Sequence, residues 1–334
     1  MVKKLLLIIS LLFYVITVIQ VSPIGGNSET TVFTLMKQVY DIGNFKKKGL
    51  ARSDPYLLHF RNHSFVETAH RFDYRYDQIM LFVVNFHFNI TSAVSFLKEL
   101  YFPEFAIRYK YNFDVIFVGP ASADPSVVLL NNLPEKGYYA YHSAAVAYNY
   151  LLTKKYKYAG IFFMNDDSCV EPTLLNDYDH TKSMRSNLNP WTPGRAWQWN
   201  YMKNENNISY PVALDTAMMS IKSKSVVEEK CPYYRGEKWC GWSDFFFIAK
   251  KDIPLFLILE EAMYEKLSFL ELAVPNMMAC LNATQIVECN HGPMKYIKTC
   301  VHLHPVKYSM IKNQELCMSR IRREVVDAKP YSPY

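Results

Sequence analysis

Three short, almost wholly apolar runs constrain this chain more than any other feature: Gln78–Phe88 (QIMLFVVNFHF), Phe113–Val118 (FDVIFV) and Tyr158–Met164 (YAGIFFM). A strand with one wet face alternates apolar and polar residues. These runs do not alternate, so each reads as a strand covered on both faces, the condition of a parallel sheet. Thr91–Tyr101, with Ala93, Phe96, Leu97 and Leu100 at helical spacing, follows the first run. Tyr139–Leu152, with Ala144, Ala145, Ala147 and Leu151, precedes the third. The order β-α-β-(loop)-α-β predicts an α/β fold with crossover helices. A further strand is expected at Asp244–Ala249 (DFFFIA), then a helix at Ile253–Lys266 and another near Phe269–Leu281. No internal repeat is visible.

The composition supports such a core. Half of the 334 residues are apolar, with 25 Tyr and 21 Phe, and only 11 are glycine, which excludes collagen-like and low-complexity chains. Lys plus Arg number 37 against 31 Asp plus Glu, a surplus of +6 spread thinly along the chain. The one dense basic run, Lys46–Lys48, is too short for a nucleic-acid stripe, so no nucleic-acid partner is expected.

The first segment sets the expected compartment. Lys3 and Lys4 precede an apolar run from Leu5 to Ile19, extended by Gln20 and Val21. The run exceeds the usual signal-peptide core of about 7–15 residues and reaches the short end of a membrane span, about 17–25 residues. The positive flank lies on the N-terminal side only, which predicts a single-pass type II anchor over residues 1–22. A long cleaved signal peptide is the alternative, and either way the body faces a lumen or the outside. Four Asn-x-Ser/Thr sequons (Asn62, Asn89, Asn207 and Asn282) agree. So do seven cysteines, six of them in the C-terminal third, with room for three bridges. Cys169 stands apart and is expected to be the free thiol. Residues 23–70 read as stem and lead-in, 71–325 as one domain and 326–334 as a tail.

The chemistry concentrates where the third strand ends, in Asn165-Asp166-Asp167. Ligands of open α/β sheets sit at the carboxyl ends of strands. Adjacent carboxylates repel unless a cation lies between them, and Mg²⁺ or Mn²⁺ favours carboxylates together with phosphate oxygens. A diphosphate clamped by such an ion becomes a better leaving group. The alternative is a turn cap at Asp166 and a solvated Asp167.

Tyr141–Pro172, carrying the helix, the buried strand and the acidic triplet, resembles the core of GT-A-type nucleotide-sugar glycosyltransferases. Gly241–Pro275 is similar to their acceptor-side segment, and the likeness runs from Gln78 to near Arg323. The resemblance implies a GT-A-like single domain with a mainly parallel, Rossmann-like sheet flanked by helices after the anchor. It implies a secretory-pathway enzyme of the Golgi membrane, with the endoplasmic reticulum or secretion as alternatives. Its partners would be a nucleotide-sugar donor and a glycan or glycoprotein acceptor. Asp166 and Asp167 would hold Mn²⁺ or Mg²⁺ with His304, while Asn165, Asp166 and Lys307 would meet the donor. His302 would share a strand face with His304.

For an inverting transfer one carboxylate must take the acceptor proton. Glu271, set among apolar neighbours, and Asp244, opening a strand, are the two candidates. In place of the first carboxylate of an ideal acidic motif stands Asn165, which leaves open a catalytically silent relative that binds glycans. A diphosphate hydrolase would need more clustered acids and histidines. The Pro190–Trp199 loop is expected to pack or to form an acceptor platform, Trp239–Trp242 to pack or to shape a pocket wall, and Glu260 and Glu261 to lie on a solvated helix face.

Overall fold

The computed structural model describes residues 78–87, 91–119, 124, 126–129, 137–154, 157–192, 202–290 and 300–322. The expected anchor, stem and tail, and most of the Trp191–Trp199 loop, lie outside them. No helix among the described residues is long and apolar enough to cross a membrane.

Each apolar run becomes a buried strand. The first is β1 (Ile79–Asn85). After it α1 (Thr91–Phe96) passes through one π turn (Leu97–Tyr101) into α2 (Phe102–Arg108). The helical segment thus outruns its expected end at Tyr101, because Phe102, Phe105 and Ala106 continue the stripe that covers the sheet. Pro103 falls in the first turn of α2, where a missing N–H is tolerated. Then come β2 (Phe113–Gly119), β3 (Val127–Leu129), α3 (His142–Lys154) and β4 (Tyr158–Asn165). Short elements follow: β5 (Cys169–Val170), α4 (Pro172–Leu175), β6 (Met184–Arg185) and β7 (Asn189–Pro190). The C-terminal half adds α5 (Tyr210–Ser220), α6 (Ser225–Lys230), β8 (Trp239–Cys240), β9 (Phe245–Ala249), α7 (Ile253–Glu265) and α8 (Leu270–Cys280). It closes with β10 (Thr284–Gln285), β11 (Glu288–Asn290), β12 (His302–His304) and α9 (Ile311–Arg322).

The main sheet has the order β10-β6-β9-β4-β1-β2-β3. β1 runs parallel to β2 on one side and to β4 on the other, and β3 is parallel to β2. Only β9 opposes its neighbours, lying antiparallel to both β4 and β6. The chain is therefore a mixed α/β structure with a mostly parallel sheet between helices.

One face of β1 (Met80, Phe82, Val84) packs with Phe96, Leu97, Phe102 and Phe105. Phe82 stacks on Phe162 of β4 at 4.6 Å and meets Phe105 edge-on at 5.0 Å. The other face is covered by α3 and α7: Phe163 stacks on Phe246, which touches Phe256. Both faces are apolar, and that is why the strands carry no alternation. Gly160 is required where β4 meets β9, since a Cβ there would fall 2.3 Å from the Phe247 ring and 2.5 Å from the Ile248 carbonyl.

A second sheet, β11-β12-β5, packs beside the carboxyl end of β4. In it β12 pairs antiparallel with β5, His302 opposite Val170 and Leu303 opposite Cys169. Disulfides join Cys169 to Cys317 and Cys231 to Cys280, and Cys300 is also disulfide-bonded. The expectation of a free thiol at Cys169 is corrected: strand pairing and the return of α9 bring Cys317 to it, with Cα atoms 5.9 Å apart. Glu260 is corrected too. It is fully buried on α7, with Oε1 2.7 Å from His142 Nδ1 on α3.

Candidate active site

β1 is followed by β2 on one side, and the chain later returns to β4 on the other, so their carboxyl ends form a topological switch point, where open α/β sheets place ligands. The last residues of these two strands, Asn85 and Asn165, are register partners. Ser143 Oγ, in the first turn of α3, donates to Asn85 Oδ1 at 2.6 Å. Asn85 Nδ2 donates to Asn165 Oδ1 at 3.4 Å, and Asn165 Nδ2 donates to Asp244 Oδ1 at 2.7 Å. The backbone repeats the pattern: Asn165 N donates to Asp244 O, and Asp166 N to Asn85 O, both at 2.9 Å.

Beyond these amides lie the two acids. His304 Nε2 stands 3.4 Å from Asp167 Oδ1, and its Nδ1 3.5 Å from Asp244 Oδ2. The Lys307 ammonium donates to Asp167 Oδ2. Burial pushes the Asp166 carboxyl up to about 7, and the charge on Asp167 adds to this, against the pull of Lys307 and His304. Burial would raise Asp167 as well, but His304 and Lys307 prevail and hold it well below the usual carboxylate range. Burial lowers Lys307, and the carboxylates of Asp167, Asp166 and Asp244 more than reverse that.

The segment that brings His304 lies about 140 residues downstream, and several ties hold it. Val306 N donates to Asp167 O at 2.6 Å, and Tyr308 Oη to Ser168 O at 2.7 Å. His302 is fully buried. Its Nε2 is 2.9 Å from Ser168 Oγ, and its ring stacks on Phe245 at 5.3 Å. It shares the strand face of His304 but is used up by packing, so the two histidines differ in role. The buried Arg320 on α9 donates to the carbonyls of Cys169 and Cys300.

The structure thus gathers Asn165, Asp166, Asp167, Asp244, His304 and Lys307 at one edge of the sheet. Glu271 sits in the first turn of α8, 7% exposed, and the structure does not bring its carboxyl into this group: its carbonyl accepts from Gly241 N at 3.0 Å, three residues before Asp244. Gly241 is needed there, because a Cβ would fall 2.2 Å from the Asn187 carbonyl. The Trp242 ring lies 6.3 Å from that of His304 and lines a small cleft with Arg185, Asn187 and Pro275.

Sequence reasoning missed three members. Asn85 and Ser143 were hidden inside elements read only for their apolar pattern. His87 was read as part of the first strand, which in fact ends at Asn85. It is half-buried near Asp167 and Lys307. Burial lowers its imidazole, Asp167 works against this, and Lys307 adds to it.

Two carboxylates and an imidazole are donor types that suit a hard divalent ion, and the charge on Asp167 adds to the burial that raises Asp166. Lys307 already covers one oxygen of Asp167, so an ion would have to displace it. Among the described residues no group of three or more His, Cys, Asp and Glu side chains is arranged to hold a metal. No family model matches the chain, and no curated protein matches it either.

Proposed function

We propose that this site transfers a sugar from a nucleotide-diphosphate donor to a hydroxyl of a glycan or glycoprotein, on a GT-A-like body anchored in a secretory-pathway membrane. One observation carries the reading: at the carboxyl end of a central strand Asp167 meets the His304 imidazole and the Lys307 ammonium, and the other side of that imidazole faces a second carboxylate, Asp244. That arrangement suits a diphosphate on one side and an attacking hydroxyl on the other.

A divalent Mn²⁺ or Mg²⁺ at Asp166, Asp167 and His304 would supply Lewis-acid shielding of the diphosphate, with donor phosphate oxygens completing a ligand set that these side chains do not form by themselves. Lys307 lends a point charge to the phosphate oxygens. The bond from the anomeric carbon to the diphosphate oxygen breaks, and its electron pair leaves with the nucleotide. In an inverting transfer the acceptor oxygen forms the new bond as its proton passes to a carboxylate. Asp244 is the better placed of the two candidates. Its Oδ1 is held by Asn165 and its Oδ2 lies 3.5 Å from His304 Nδ1, whereas Glu271 meets this segment by its carbonyl, which accepts from Gly241 N.

A glycan-binding body without turnover is the second reading. Lys307 on Asp167 favours it, since the site balances that charge by itself. The test is hydrolysis of UDP- and GDP-sugars by the wild-type chain with Mn²⁺, beside Asp166→Ala/Asp167→Ala. Turnover lost in the variant is expected. Equal turnover by both proteins would remove the site assignment, and nucleotide binding indifferent to Mn²⁺ would favour the silent reading.

A further inference from the structure

We infer that Asn165 is a positioning residue for Asp244, and that the amide in the acidic triplet is a requirement of this site and not a defect in it. The inference rests on the transferase reading and deepens it. A carboxylate only accepts hydrogen bonds, so Asp244 Oδ1 demands a donor, and Asn165 Nδ2 lies 2.7 Å from it. That fixes the orientation of the Asn165 amide, whose Oδ1 must then accept, and Asn85 Nδ2 faces it at 3.4 Å. Asn85 Oδ1 in turn must accept, and Ser143 Oγ donates to it at 2.6 Å. The direction of every bond in the chain follows from Asp244 Oδ1 accepting at one end and the Ser143 hydroxyl donating at the other. Asn85 is 1% exposed and Ser143 fully buried, so water does not compete for these bonds.

Only an amide serves at position 165. Aspartate there would set two carboxylates against each other in a nearly buried place and remove the donor that Asp244 needs. Alanine would leave Asp244 Oδ1 and Asn85 Nδ2 without partners. With Oδ1 fixed, Asp244 keeps Oδ2, 3.5 Å from His304 Nδ1, for the acceptor proton.

The test uses the full-length chain and four variants: Asn165→Ala, Asn165→Asp, Asp244→Asn and the exchange Asn165→Asp/Asp244→Asn. Unfolding midpoints in urea and sugar-nucleotide turnover are read in parallel. Asn165→Asp is expected to unfold at lower urea, and the exchange to recover the wild-type midpoint by rebuilding the donor–acceptor pair with the roles swapped. Turnover is expected not to recover: the exchange and Asp244→Asn fall about 10²–10⁴-fold. Asn165→Ala is expected to lose kcat with KM near wild type. An exchange no more stable than Asn165→Asp overturns the pairing. An Asn165→Ala enzyme with wild-type kcat overturns the positioning role while leaving the transferase reading intact. A wild-type chain that turns over no sugar nucleotide overturns the transferase reading and with it the role of Asn165, whatever the stability cycle gives.

Discussion

Cys169 and Cys317 are 148 positions apart in the chain and joined by a disulfide that pins α9 to the strand leaving the acidic loop. Tyr308 strengthens the same seam, its hydroxyl donating to Ser168 O and lying 3.5 Å from Cys317 Sγ. Replacing both cysteines by serine is therefore expected to lower stability by about 2–5 kcal/mol, a loop this long being costly to close without its crosslink. Urea unfolding with and without reductant checks this. The reductant should shift the wild-type midpoint toward that of the variant.

Strands β1, β2, β4 and β9 of the main sheet were legible because burial on both faces leaves no alternation, whereas β3, β6 and β10, two or three residues long, carry no run to read. The partner of Cys169 was not, because pairing depends on where α9 returns. Asn165, by its position in the triplet, reads as a donor contact standing in place of a carboxylate, and only its register with Asn85 and its contact with Asp244 reveal an inward role. Glu260 could have been found. The helix Ile253–Glu265 (IPLFLILEEAMYE) is apolar on nearly every side, so it has little solvated face on which to place a carboxylate.

That buried carboxylate yields a second prediction. His142 lies flat on Tyr264, with ring centroids 3.9 Å apart, and its Nδ1 meets Glu260 Oε1 at 2.7 Å. Removing His142 takes a 2.7 Å partner from a carboxylate that is fully buried. His142→Phe is expected to cost about 3–5 kcal/mol, and His142→Phe/Glu260→Met to regain most of it, because a well-packed apolar pair replaces a buried polar one at little cost. Urea midpoints of the two variants decide the matter, and equal midpoints would rule it out.

Stability toward acid should depend on Asp124. Burial would raise its carboxyl, but hydrogen bonds from Ser126 and the ammonium of Lys98, 2.9 Å away, hold it below its ordinary value. A depressed folded-state pKa adds stability above the unfolded value, near pH 3.8, and that stability is lost as pH falls through the folded value. Asp124→Asn is thus expected to be less stable than wild type at neutral pH, with the gap closing below pH 4. Thermal melts across that range give the answer.

Two sequons fall on described, exposed residues. Asn207 and Asn282 both adopt left-handed backbone, with φ of 61° and 52°, at turns beside α5 and after α8. Such side chains project into solvent, open to an oligosaccharide. Expression in a secretory host should give a chain whose mobility rises by one step with Asn207→Gln and by another with Asn282→Gln. Glycosidase treatment should erase the differences.

Lys307 offers the sharpest separation between a metal-assisted site and one that carries its own cation. Its ammonium occupies Asp167 Oδ2, an oxygen that a divalent ion would need. Lys307→Ala should therefore bind Mn²⁺ more tightly than wild type in the absence of nucleotide, since nothing competes for that oxygen. The same variant should turn over donor more slowly, because a charge facing the phosphates is gone. Mn²⁺ titration followed by electron paramagnetic resonance reads the first effect, and donor hydrolysis reads the second. If chelator leaves wild-type turnover intact while Lys307→Ala abolishes it, Lys307 itself is the cation that shields the diphosphate, and Asp166 and Asp167 hold it in place.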